Sequence, residues 1–262
     1  MQRRPFEMPR GGGFGIGSGA PVPRDLVAIL AVLFVTYVLH FFRSTAVVPA
    51  LLQLTSAVFG GSVWQVVTYP FVGFPSGGIW FLLELLVLFW FGRDVFWRLG
   101  RRRFWTRLLV GGVVAAVVAM GIQLLLVVLG AVGLTSVPMF ALMQGQRMLM
   151  AILIAAFATL WGDATVMLFF VIPLKARWFL WLEVLFAFMA FLTVKDLAGL
   201  LGISAAVVST WATVTPGGPR HAWRRVRLTV EGWLIQARLK RLRRGRRFDV
   251  IDGDDGRDRW VH

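Results

Sequence analysis

Long runs of apolar residues alternate along this chain with short stretches that hold most of its charges. A helix needs about twenty mostly apolar residues to cross the hydrocarbon core of a bilayer, and somewhat fewer where polar flanking residues reach the interface. Six segments meet this condition and are each predicted to span a membrane as a helix: residues 26–42, 78–91, 108–133, 144–161, 177–194 and 196–213. The pattern therefore predicts an all-α, polytopic membrane protein, a bundle of six helices.

Basic residues concentrate in the connections that this arrangement places on one side of the membrane. The N-terminal arm, residues 93–107 and the C-terminal tail are rich in arginine, whereas residues 134–143 carry no charge. Because cytoplasmic loops carry an excess of Lys and Arg, both termini are predicted to be cytoplasmic. The dominance of arginine over lysine is typical of a GC-rich bacterial genome, so the predicted location is a bacterial cell membrane.

The first external connection, residues 44–77, has no charged residue and is rich in Val, Leu, Phe and Trp. A loop surrounded by water would be more polar. We therefore predict that this connection lies in the headgroup interface of the membrane, with helical pieces that satisfy its backbone groups. Trp64, Tyr69 and Phe74 suit the depth of the lipid headgroups.

The two ends of the chain differ in composition from the predicted membrane domain, residues 26–213. Residues 1–25 combine early arginines with a glycine-rich patch and are predicted to be a disordered cytoplasmic arm. Residues 214–248 alternate apolar and basic positions at helical spacing, which predicts an amphipathic helix on the cytoplasmic membrane surface. Residues 249–262 are acidic and polar, which predicts a disordered tail. The basic residues expected to contact anionic lipid are Arg224, Arg225, Arg227, Arg238 and Lys240.

Composition narrows the classes of function. The chain is 58% apolar and 16% charged, with a net charge of +15. Such a charge suits nucleic acid or anionic lipid, but in a chain with several spans we expect anionic lipid and no nucleic acid. The absence of cysteine excludes disulfides and thiolate chemistry. The three histidines lie in unrelated regions, so no metal or cofactor is predicted.

Several polar residues fall inside the predicted spans, where each costs a few kcal/mol unless it is paired or hydrated. They are Glu84, Gln123, Gln144, Gln146, Arg147 and Glu183. These side chains either join helices to one another or form a polar pocket inside the bundle. In a transporter or channel, Glu84, Gln123 and Glu183 would line a path.

Four segments, taken in order, resemble the sequences of rhomboid proteins. They are WQVVTYPF at 64–71, FGRD at 91–94 followed by RF at 103–104, AFA at 156–158, and LFFVIPLKARW at 168–178. The resemblance implies a six-helix membrane bundle with a membrane-embedded first loop. It also implies, for active members of the family, an intramembrane serine endopeptidase.

The catalytic residues of that family are replaced in this chain. Active members carry a GxSG serine at the start of the fourth span, a histidine in the sixth, and a histidine and an asparagine in the second. Counted from the matching segments, these positions fall respectively on Arg147, on Asp196, and on Trp80 and Glu84. An arginine stays protonated and cannot serve as the nucleophile.

No slip in the alignment restores a serine–histidine dyad. No serine lies between Ser136 and Ser204, and no histidine lies between His40 and His221. The sequence therefore predicts no catalytic residue and indicates a rhomboid-like pseudoprotease that binds other transmembrane proteins. The alternatives are an active rhomboid endopeptidase and, third, a transporter or channel.

The substitutions also suggest what replaces the dyad. We predict that Arg147 and Glu84 meet as a buried ion pair between the fourth and second helices, with Asp196 as a further candidate member of this charge network.

Overall fold

The computed structural model describes residues 21–75, 77–130, 140–168 and 172–215, together with seven positions between 224 and 236. These residues are mostly helical, as predicted. Residues 1–20 and 249–262, for which disorder was predicted, lie outside the described part of the chain.

Eight α-helices form the described part of the chain. They are α1 Arg24–Leu39, α2 Val47–Leu52, α3 Gln65–Thr68, α4 Ile79–Leu99, α5 Arg101–Val128, α6 Gln146–Leu160, α7 Trp178–Val194 and α8 Leu197–Val214. Three short 3-10 turns accompany them at Ser56–Gly60, Tyr69–Phe71 and Ala141–Met143. The six longer helices, α1 and α4 to α8, overlap the six predicted spans.

The boundary between α4 and α5 differs from the prediction. The predicted second span stops at Phe91 and the third begins at Leu108, because both exclude the arginines between them. In the structure, the two helices run on through these charges and break only at Gly100, where φ is +75°. Charge limits what lipid accepts, but arginine is a good helix former, so the helices end at the glycine and not at the charges.

Two helices, α5 and α8, are long and apolar enough to cross a membrane. The helices α6 and α7 are apolar but shorter. Only 33% of the most apolar stretch of α5 and 39% of that of α8 are buried inside the protein. Most residues of these two stretches are therefore at least partly accessible at the surface of the protein.

A small antiparallel β-hairpin, not predicted from the sequence, lies between α6 and α7. Its strands are β1 Thr165–Leu168 and β2 Ile172–Lys175, paired so that Thr165 is opposite Lys175. The intervening residues 169–171 are outside the described part. A short apolar segment between helices does not reveal its secondary structure by periodicity, which explains why the hairpin was missed.

Helix α6 is the centre of the bundle, since residues 151–158 are all buried. It packs against α4, α5, α7 and α8, while α5 and α8 pair closely beside it. Small residues permit this approach: a Cβ added at Gly202 of α8 would lie 3.1 Å from the carbonyl oxygen of Ala115 on α5. Such contacts between glycine and alanine faces are typical of helices packed in membranes.

The bundle has two chemically different ends. At one end the ring of Phe91 on α4 packs 4.9 Å from that of Phe157 on α6 and 5.7 Å from that of Phe179 on α7. We call this the hairpin end, because the hairpin and Gly100 lie there. At the other end, the start of α6 meets the first connection and the start of α4. We call this the network end.

The first connection contains helical pieces, α2 and α3 with two 3-10 turns, and this prediction is confirmed. Trp64 is half-exposed and Phe74 partly buried, but Tyr69 is fully buried and donates a hydrogen bond from its hydroxyl to the Gly112 carbonyl at 2.8 Å. Tyr69 therefore anchors the connection to α5 and does not lie at the surface, contrary to expectation.

Candidate functional site at the start of helix α6

The candidate site begins at Gly145, where the backbone of the first connection touches the start of α6. Gly145 has φ +60°, a conformation that side chains with a Cβ rarely adopt. A Cβ at this position would also collide with the carbonyl oxygen of Val72. Both constraints require glycine here, so the first connection lies directly against the N-terminus of α6.

Gln146 is the centre of the site and is completely buried. Its Oε1 accepts a hydrogen bond from the Phe74 N–H at 2.8 Å. Its Nε2 donates to the Phe74 carbonyl at 3.2 Å and to Oε2 of Glu84 at 2.7 Å. One amide thus uses both of its N–H groups and joins α6, the first connection and α4.

Arg147 and Glu84 come together, as predicted, but the prediction of a buried pair is wrong. The guanidinium Nε of Arg147 lies 3.9 Å from Oε1 of Glu84, and the two side chains are 40% and 22% exposed. The guanidinium carbon also lies 5.9 Å from the centre of the Phe74 ring. Because 3.9 Å is a loose ion pair between half-exposed groups, the closer partner of Glu84 is Gln146 and not Arg147. We call Glu84, Gln146 and Arg147 the polar network.

Two further glutamines hold the first connection in the same way. Nε2 of Gln144 donates to the Leu54 carbonyl at 2.6 Å, and its Oε1 accepts from the Leu54 N–H at 3.3 Å. Oε1 of Gln65 accepts from the Thr55 N–H at 3.0 Å. In an apolar environment each unsatisfied backbone group is costly, and these amides supply the missing partners. Gln144 was among the predicted polar residues, whereas Gln65 was not.

Asp196 does not join the polar network. It lies in the connection between α7 and α8, where Oδ1 accepts from the Gly199 N–H at 2.8 Å and Oδ2 from the Leu142 N–H at 3.2 Å. Burial raises the pKa of this carboxyl, while hydrogen bonds from Gly199, Leu142 and their neighbours lower it. Asp196 is therefore the N-cap of α8 and a clamp on the turn before α6, and its expected place beside Arg147 is wrong.

The remaining predicted residues are scattered. Trp80 is 67% exposed on α4. Gln123 is buried in α5, and its Nε2 has no partner among the described residues. Glu183 is partly exposed on α7, on the same face as the buried Phe179 and Ala187. The structure thus unites three of the six predicted polar residues, Glu84, Gln146 and Arg147.

The predicted lipid-facing tail is described only in part. Arg224 and Arg227 are exposed and helical, and Arg227 forms an ion pair with Glu231 at 2.7 Å. Arg225, Arg238 and Lys240 lie outside the described residues.

Among the residues that the structure describes, the site offers hydrogen bonding and charge but no hydroxyl or imidazole. Ser204, in α8, donates its hydroxyl hydrogen to the Leu200 carbonyl at 2.9 Å, and the imidazole of His40 contacts Gln53 and Thr36. Within the described residues, no group of three His, Cys, Asp or Glu side chains is placed to hold a metal ion. The arrangement favours structural support and recognition of a polar group.

Comparisons of this chain with models of protein families, with curated proteins and with solved structures found no match.

Proposed function

We propose that this chain is a rhomboid-like integral membrane protein that binds the transmembrane segments of other proteins without cleaving them. The observation that carries the proposal is the polar network. At the position where the resemblance implies a nucleophilic serine, Arg147 faces Glu84, and Gln146 donates to the same carboxylate. A protonated guanidinium cannot supply the nucleophile for the hydrolysis of a peptide bond.

The outward surface of the helices supports a membrane location. Large apolar side chains are exposed along α1, α4, α5, α7 and α8. In water, so much exposed apolar surface would drive aggregation, whereas lipid accepts it. In this proposal all six long helices cross a bacterial cell membrane, the first connection is embedded at the network end, and the basic residues near Gly100 lie in the cytoplasm together with both termini.

A client helix would bind between α4 and α7. Both of these helices pack on α6, and they touch each other through Phe91 and Phe179 at the hairpin end. Towards the network end, α4 presents the exposed Trp80 and Leu83, with the half-exposed Arg147 nearby. A client with a polar group near its external end would bury its apolar face on α4 and direct that group to the polar network.

Fluorescence energy transfer in vesicles tests this binding. The purified chain, labelled at an introduced cysteine, is reconstituted with synthetic single-span helices that carry either a Ser-Gly pair near the external end or leucine and alanine only. We expect transfer at least threefold above random mixing for the Ser-Gly helix, and loss of this excess in Arg147→Leu/Glu84→Leu. Equal transfer for both synthetic helices would contradict recognition by the polar network.

Two further assays separate the other functional classes. Incubation with a fluorescent fluorophosphonate, which acylates activated serines, is expected to leave the chain unlabelled and a transmembrane substrate uncut. Labelling of any serine would favour the endopeptidase. A liposome flux assay tests the transporter or channel, in which Glu84, Gln123 and Glu183 would line a path.

A further inference from the structure

A cavity of about 480 Å³ opens at the hairpin end, between the second strand of the hairpin and the first turns of α7. It lies at the opposite end of the bundle from the polar network and takes no part in the proposed client binding. Its walls are formed by Pro173, Leu174, Lys175, Arg177, Trp178 and Trp181. The cavity thus combines two cationic side chains with two indole rings.

The two cations are available to a ligand. Lys175 is exposed, and its ammonium group has no hydrogen bond or ion pair with a described residue. Arg177 lies 3.7 Å from Asp163, whose own side chain is 96% exposed. Water screens such an exposed pair strongly, so an anion can replace it. The walls of the cavity therefore attract negative charge.

Hydrogen bonds fix the backbone that carries the two cationic side chains. The Ala176 N–H donates to the Ala164 carbonyl at 2.8 Å, and the Arg177 N–H donates to the Gly162 carbonyl at 3.2 Å. These bonds extend the pairing of the hairpin beyond Lys175, which is itself opposite Thr165. The backbone positions of both basic residues are set before any ligand arrives, which reduces the entropy lost on binding.

The aromatic side of the cavity suits the boundary between lipid headgroups and acyl chains. Trp178 and Trp181 are 56% and 71% exposed and lie one turn apart on α7. Tryptophan prefers this depth, because its ring is apolar and its N–H is polar. Helix α7 has 17 residues, roughly 25 Å of length, so a membrane-spanning α7 begins at this boundary. No side chain caps its N-terminus, and the partial positive charge of this helix end also favours an anion.

We propose that this cavity binds the headgroup of an anionic phospholipid from the surrounding bilayer. The phosphate oxygens lie between Lys175 and Arg177, and the glycerol and upper acyl chains pack on the two indole rings. A zwitterionic lipid binds less tightly, since its own ammonium group would approach that of Lys175. This site rests on the membrane location of α7 and is separate from the amphipathic tail for which lipid contact was predicted from the sequence.

Native mass spectrometry of the delipidated full chain in detergent measures the binding. We titrate phosphatidylglycerol and phosphatidylcholine separately and compare Lys175→Gln/Arg177→Gln with the matched control Arg102→Gln/Arg103→Gln, which removes two exposed arginines elsewhere at the same end. The first variant is expected to weaken phosphatidylglycerol binding at least tenfold, and the control less than twofold. The exchange Lys175→Arg/Arg177→Lys keeps both charges and is expected to stay within threefold of the wild type.

Several outcomes would overturn the proposal. One is equal binding of the two lipids to the wild type, and another is an equal loss in the two glutamine variants, which would indicate general surface charge. A third is competition by free glycerol 3-phosphate at the concentration of the lipid, which would indicate a soluble phosphate ligand. Thermal unfolding without added lipid is expected to be the same in all variants, since the altered side chains are exposed.

Discussion

Replacement of Gln146 by leucine tests whether the polar network stabilises the fold. Gln146 is completely buried, and its side chain forms hydrogen bonds with the N–H and the carbonyl of Phe74 and with the carboxylate of Glu84. Leucine has a similar size but no polar atoms. The substitution therefore removes the hydrogen bonds without opening a large cavity, and leaves the partners of Gln146 unsatisfied.

The magnitude follows from those partners. Each backbone group of the partly buried Phe74 is expected to cost about 1 kcal/mol when left unpaired, at the lower end of the range for buried groups. The bond to the charged Glu84 is expected to add about 1.5 kcal/mol, a low value because that side chain is 22% exposed. The total loss of unfolding free energy is about 3 to 4 kcal/mol, or a factor of a few hundred in the unfolding equilibrium.

Reversible unfolding in mixed micelles with increasing dodecyl sulfate, followed by tryptophan fluorescence, measures this loss. The matched control is Gln123→Leu, because Gln123 is also buried but its Nε2 has no partner among the described residues. We expect Gln123→Leu to change stability by less than about 1 kcal/mol or to increase it. Equal losses in the two variants would refute the reasoning, since only one of the two amides bonds the first connection to α6.

Three further predictions are tested by the same unfolding assay. In a double-mutant cycle with Arg147→Ala and Glu84→Ala, the coupling energy is expected to be about 1 kcal/mol or less, because the pair is loose and Arg147 is 40% exposed. A coupling energy of several kcal/mol would indicate a tight buried pair instead. Gly145→Ala is expected to prevent folding or to lower the free energy of unfolding by more than about 3 kcal/mol, because of the positive φ and the collision with Val72. The control Gly121→Ala has open space around its added Cβ and is expected to stabilise α5 by up to about 1 kcal/mol. Similar results at both glycines would contradict the close approach of the first connection to α6. Asp196→Ala is expected to lower the free energy of unfolding by about 1 to 2 kcal/mol, and Asp196→Asn by clearly less, since asparagine also caps helices. Equal losses in the two variants would show that the negative charge matters more than the cap.

The positions of the long helices could be predicted because a run of apolar residues long enough to cross a bilayer is expected to be helical, so that its backbone groups are paired. Each apolar run long enough to cross a bilayer corresponds to a helix in the structure. The ends were less predictable, as the break at Gly100 illustrates, since charged residues end a predicted span without ending the helix. The hairpin escaped prediction because four-residue strands carry too short a pattern.

The candidate site was predictable only where two side chains bond each other. The cost of charge inside a membrane pointed to Glu84 and Arg147, and they lie together. The role of Gln146 was not predictable, because two of its bonds reach the backbone of Phe74, and the sequence carries no signal of a backbone partner. The cap at Asp196 had a recognisable signal, an aspartate directly before a helix. The family resemblance led us to assign that residue to the charge network instead.

Glutamine side chains anchor the first connection through its backbone and not through its side chains. Gln144 and Gln146 hold Leu54 and Phe74 by their main-chain atoms, which every amino acid except proline offers in full. The identity of the side chains on the connection is therefore uncoupled from its anchorage. New residues at the partly exposed Phe74 can alter the surface of the connection while its path over the bundle stays the same, whereas a replacement at the completely buried Leu54 must also fit the core.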